Sequence, residues 1–224
     1  REDHSLVEEE NVTVTTFAGD GKHFRAPDQD NLTLVETPTV NAMVFNGGTS
    51  SLIQISSTTA SSDFKVVNTA DTADVPFTIS FWIKPDNLSG WHGITGNLWG
   101  SFYLEQYNNR LRLSLRPDVG LHNQFFTQEV SGAHILDGTT TTWAQITLVY
   151  TPETSSGAND EQVQFYKNGS AWGSPIVSPA DSYVVGDPGL GKFTIGSTRS
   201  GATCFDGKLS NFLFFKHDGQ SGRS

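Results

Sequence analysis

The sequence predicts an all-β fold, and three observations carry that prediction. Short runs alternate apolar and polar side chains, the period of two that turns one face of a pleated strand toward a core. Clusters of Gly, Pro, Asn and Ser separate those runs, and helical periodicity is almost absent. Tight Asn-containing turns join neighbouring runs: "YNNR" at 107–110 and "KNGS" at 167–170, where Asn and Gly tolerate the positive φ of a short hairpin.

Taken in order, the first expected strands are Val12–Phe17 and Leu32–Val35. They come after a start with five acids and one Arg in ten residues, which reads as a solvated arm or as a segment docked on a neighbour. Ala42–Phe45 and Leu52–Ile55 come next. Phe77–Lys84 sets Phe77, Ile79, Phe81 and Ile83 on one face and Trp82 on the other, the pattern of a central strand covered on both sides. Phe102–Gln106 and Leu111–Leu115 flank the first hairpin turn, and Phe125–Val130 comes after them. In Ala144–Tyr150, residues Ala144, Ile146, Leu148 and Tyr150 form one apolar face, with Trp143 capping the edge. Gln162–Lys167 runs into the second hairpin turn; Lys192–Gly196 and Lys208–Phe215 complete the series. Gly- and Ser-rich loops are expected at 153–160, 173–189 and 197–203. The repeated Thr and aromatic content suits half-buried pleated surfaces.

Composition narrows the classes. A chain of 224 residues fits one large β domain and can bury a core without disulfides. Fourteen Lys and Arg stand against 24 acids, a formal net charge of -10, so nucleic acid is excluded as a partner. No apolar run reaches the roughly 18 residues of a membrane span, which excludes insertion by a helix. Cys204 is the single cysteine; it excludes an internal disulfide and a Cys-based zinc site, and its setting between Thr203 and Phe205 reads as a packed thiol. The chain opens at Arg1 without a signal peptide's apolar core, which suggests a processed product or a fragment. Sequons at Asn11, Asn31, Asn87 and Asn168 are too few above chance to establish a secretory route.

The ordered stretches "FNGGTSSLIQI" (45–55), "PFTISFWIKPDN" (76–87), "FYLEQYNNRLRLSL" (102–115), "WAQITLVY" (143–150), "VQFYKNGS" (163–170), "FTIGS" (193–197) and "FDGKLSNFLFF" (205–215) resemble the laminin-G-like, concanavalin A-like lectin/glucanase superfamily. The resemblance covers roughly residues 43 to 216. It implies a jelly-roll sandwich of two curved antiparallel sheets, common in extracellular or surface-displayed proteins, with 1–42 as an N-terminal extension and 217–224 as a tail. Two departures bear on calcium: family members often carry Asp where this chain has Asn46, and an acidic pair where it has Ser210-Asn211.

The superfamily includes glycoside hydrolases and polysaccharide lyases, and a retaining hydrolase needs two carboxyls about 5 Å apart. Enzymes of this fold place them as Glu-x-Asp-x-x-Glu on one strand. That spacing is missing here: Asp28 and Asp30 share a side but lie in a loop-like stretch, and Glu105 stands alone among the long strands. No G-x-S-x-G elbow, no metal spacing among the six His and no phosphate-cradling Gly loop appears. The expectation is a chain without enzymatic activity.

Binding is the better reading. The stretch 90–109 holds Trp91, His92, Asn97, Trp99, Tyr107 and Asn108 among glycines, outside the regular alternation of the strands. Aromatic faces suit the apolar side of a pyranose, and amides suit its hydroxyls. The alternative is that these rings cover the open end of the sandwich. Calcium is carried as a candidate ion, with Asp118, Asp137, Asp181 and Asp187 as loop oxygen donors; ordinary solvated acids are the alternative. Two functional classes stay open. One is a carbohydrate-binding or adhesion module that meets a glycan or a surface protein. The other is a structural subunit of a virion or filament, a homo-oligomer or part of a larger assembly. Either would be extracellular or surface-displayed.

Overall fold

A computed structural model of the chain describes residues 42–49, 51–55, 66, 74–97, 102–115, 123–153, 160–177, 193–198 and 203–217. The expected strands at 12–17 and 32–35 lie outside these residues. The chain divides into two compact units, Arg1–Ala42 and Met43–Ser224, and every described strand belongs to the second.

Alternation becomes two layers. A seven-stranded antiparallel sheet runs β1 (Met43–Asn46), β13 (Asp206–Lys216), β3 (Phe77–Pro85), β8 (Ala144–Thr151), β9 (Gln162–Lys167), with β10 (Ser170–Ala171) and β11 (Ile176–Val177) both on β9. A six-stranded sheet runs β2 (Ile53–Ile55), β12 (Phe193–Ile195), β4 (Trp91–Asn97), β5 (Phe102–Tyr107), β6 (Arg110–Leu115), β7 (Asn123–Phe126). Neighbouring strands pair antiparallel and none of the described elements is a helix, as in a concanavalin A-like jelly-roll sandwich.

The core lies between the inner faces. β3 buries Phe77, Ile79, Phe81 and Ile83, and β8 buries Ala144, Ile146, Leu148 and Tyr150, as their alternation requires. The opposing sheet supplies Phe102, Leu104, Leu111, Leu113, Leu115, Phe125 and Phe193. Phe77 joins the layers, its ring centre 5.4 Å from Phe102 and 4.9 Å from Tyr150. Burying side chains of this size stabilises the fold by about 1.5–3 kcal/mol each. Cys204 is also buried, bridged by its backbone to Ser197.

Two irregularities set where side chains point. β13 carries one extra residue between Ser210 and Leu213 relative to β3, with Asn211 at φ 46°. The bulge reverses parity, so Leu209 faces inward before it and Phe212 and Phe214 pack on the core after it. Leu213 and Phe215 are thereby exposed on the outer face. β4 bulges likewise between Gly93 and Thr95.

Both hairpin turns fall where Asn and Gly predict them. Tyr107 pairs with Arg110 around Asn108 at φ 51°, and Lys167 pairs with Ser170 around Asn168 and Gly169 at φ 51° and 78°. Three expectations need correction. The loop expected at 173–189 carries the short strand Ile176–Val177, paired with β9. The strand expected at Phe125–Val130 is Asn123–Phe126, because the chain turns at Ser131 and Gly132, leaving Val130 in a lone bridge to Ala133. Residues 91–97, expected as a glycine-rich connection, form a strand inside the six-stranded sheet.

Candidate functional site

The outer face of the six-stranded sheet gathers the chemistry. Residues directly opposite in an antiparallel ladder share a face, and two rows lie side by side there. The first is Trp91, Tyr107 and Arg110, and the second is Gly93, Glu105, Arg112 and Phe126. The Trp91 and Tyr107 rings stack with centres 4.0 Å apart, and Phe126 lies 6.3 Å from the first and 6.5 Å from the second. The pair is exposed, Trp91 at 40% and Tyr107 at 36%.

An ion pair braces the rings. Arg112 donates to Glu105 Oε2 through Nε at 3.0 Å and through Nη2. Its guanidinium carbon sits 3.9 Å from the centre of the Trp91 ring and 5.5 Å from that of Phe126. On the other side, Thr198 Oγ1 donates to Glu105 Oε1 at 3.4 Å and lies 2.7 Å from Thr203 Oγ1. A Cβ on Gly93 would meet Thr198 N at 2.4 Å and Thr203 O at 2.6 Å. Glycine is therefore required in β4 because the backbone atoms of Thr198 and Thr203 lie directly against it.

The sequence-predicted residues divide. Trp91 and Tyr107 come together. His92 does not join them: its ring nitrogens lie 3.2 Å from Cys204 O and 2.9 Å from Ser89 O, within the backbone of adjoining loops. Asn108 Oδ1 accepts from Gly90 N at 2.9 Å, tying the hairpin turn to the 87–90 loop. Asn97 pairs with Phe193 along the ladder, and Trp99 lies outside the described residues. Glu105, solitary by its place in the sequence, is partnered in space by Arg112. The residues that sequence reasoning missed are Arg112, Glu105 and Phe126. Alternation in "RLRLSL" puts both arginines on the outward face and was the signal available.

Among the calcium candidates, Asp118, Asp181 and Asp187 lie outside the described residues. Asp137 accepts from Asn109 Nδ2 and His134 N, both at 2.6 Å and on separate oxygens. The His134 amide first, then the Asn109 amide, hold its carboxyl below the usual aspartate range. Among the described residues no three His, Cys, Asp or Glu side chains gather as metal ligands. At the positions where family members carry acids, Asn46 Oδ1 accepts from Gly48 N at 3.0 Å, Ser210 is buried and Asn211 forms the bulge.

One carboxylate pair does exist, away from any exposed sheet face. Tyr150 Oη lies 2.9 Å from Asp74 Oδ2 and 2.7 Å from Glu161 Oε1. All three are buried. Burial first, then the two carboxylates, push the phenol well above its ordinary value.

A solved structure shares this fold. The binding domain of botulinum neurotoxin serotype G superposes with a TM-score of 0.52 at 15% identity, over 76% of this chain and 38% of that one. A heptameric SAP-like pentraxin from Limulus polyphemus gives 0.44 at 16% identity, over 77% and 74%. The chain thus spans well under half of the toxin chain. No curated protein sequence matches it. A laminin-G-like family model, described as the concanavalin A-like lectin/glucanases superfamily, matches residues 56–218. The chain belongs to that superfamily.

Proposed function

We propose that this domain is a non-catalytic recognition module and that it binds a glycan on the outer face of the six-stranded sheet. The observation that carries the reading is the stacked, exposed Trp91–Tyr107 pair braced by Arg112 and Glu105. Rigid aromatic surface at low entropic cost is what a pyranose face requires. The toxin fragment that shares the fold is itself a binding domain, which supports the reading. Against hydrolysis, Asp74 and Glu161 are buried and held by one phenol, and Glu105 is neutralised by Arg112. Extracellular or surface display fits such a module.

The test is a glycan array probed with and without calcium, repeated with Trp91→Ala and Tyr107→Ala. Binding lost in both variants, with melting temperature nearly unchanged, supports the site; binding unaffected by either variant removes it. Incubation with laminarin, alginate, agar and xylan should release no reducing ends.

A second reading, a structural subunit contacting other proteins, is favoured by Leu213 and Phe215, exposed together on the outer face of the seven-stranded sheet. Sedimentation of the intact chain distinguishes it: association that Phe215→Ser abolishes supports a subunit.

A further inference from the structure

The outer face holds one charge more than the aromatic platform needs. Arg110 stands directly opposite Tyr107 in the β5–β6 ladder, and both are exposed. Opposed residues of this kind have Cβ atoms about 4.5–5.5 Å apart on one face, a span that a single pyranose ring with its substituents covers. Arg112 spends its charge on Glu105. Among the described residues no carboxylate pairs with Arg110.

Resting on the glycan reading above, we infer that the bound saccharide is acidic, with Arg110 taking its carboxylate or sulfate while Trp91 and Tyr107 take the ring. The guanidinium fork matches either oxyanion in a bidentate fashion. The net charge of -10 does not oppose this at close range. In physiological salt, charges more than about 8 Å away are largely screened, whereas a group touching Arg110 is not. The neighbouring ion pair sharpens the selection, because Arg112 is already neutral toward a ligand and leaves the anion contact to Arg110.

The experiment uses the full chain and matched probes: lactose against sialyllactose for the carboxylate, and lactose against sulfated lactose for the sulfate. The acidic member of one pair or both should bind about tenfold tighter at low salt, and the advantage should shrink at high salt. Arg110→Gln should bring the ratio of acidic to neutral affinity down to about one, with the melting temperature unchanged. Equal binding of acidic and neutral members, or a preference that survives Arg110→Gln, overturns this inference and leaves the platform standing. Binding of no member, on these probes and on the wider array, overturns the platform and this inference together.

Discussion

The Arg112 guanidinium carbon lies 3.9 Å from the centre of the Trp91 ring, although β6 and β4 are separated by the whole of β5. Trp91 therefore leans across its neighbour strand and is held there by a cation that is itself held by Glu105. The rings of this face are positioned by charge as much as by packing.

Truncating the rings should leave the fold intact. Trp91→Ala and Tyr107→Ala remove one stacked contact, worth about 0.5–1.5 kcal/mol. Phe81→Ala empties a fully buried site and should cost about 3–5 kcal/mol. Urea unfolding of the three variants measures the difference; equal losses would place the rings in the core.

Glu105→Gln should cost more than a surface ion pair and less than a buried one, about 1–3 kcal/mol. Both side chains are partly shielded, Glu105 at 9% and Arg112 at 17% exposure. The variant should also loosen Trp91, seen as a red shift and broadening of the Trp91 emission, isolated among the five tryptophans as the difference from a matched Trp91→Phe variant. An unchanged spectrum would show that Arg112 needs no partner to hold the ring.

Gly196→Ala should be among the most damaging single changes. Gly196 sits at φ 83°, and an added Cβ would fall 2.1 Å from Phe45 Cε1. Overpacking and backbone strain together predict a loss of about 2–4 kcal/mol. Thermal unfolding checks it; a loss under about 1 kcal/mol would mean that β1 yields freely.

Alkaline stability should depend on Tyr150. Its phenol titrates above the ordinary value of 10.0 in the folded chain, so the unfolded chain releases that proton first. Stability is fully present below pH 10 and falls as pH rises beyond it. Tyr150→Phe should flatten this alkaline loss, while costing about 1.5–3 kcal/mol near neutrality through the lost hydrogen bonds to buried carboxylates. Denaturant midpoints at pH 7 and pH 11 read both effects.

The acid limb should involve Asp137. Its folded-state value is depressed below 3.8, so its contribution is present above that pH and lost as pH falls further. Asp137→Asn should make the acid transition shallower below pH 4, followed by circular dichroism.

Much of the fold is legible in the sequence alone. Strands with unbroken alternation, such as Phe77–Pro85 and Ala144–Thr151, bury the face their pattern names. Both Asn-centred turns are equally legible, because positive φ leaves few choices of residue. Trp91–Asn97 is not, since its glycines serve close backbone approach and its bulge breaks the period of two. The platform itself is half legible. Trp91 and Tyr107 stand out by type, but Phe126 and Arg112 join them only through ladder registers spanning four strands.

β13 is the last of the described strands along the chain, yet it lies between β1 and β3, pairing Leu209 with Met43 and Ile83 at once. A ribosome therefore releases β1 long before its ladder partner exists. In the interval, the long apolar β3 offers one edge with nothing from β13 to cover it, the condition under which nascent strands find wrong partners. The β1–β13 and β13–β3 ladders must wait for residues 206–216, so this sheet cannot be completed before the last described strand is available. A stalled chain ending near residue 200 should be held by chaperones, whereas a released chain that carries β13 should not.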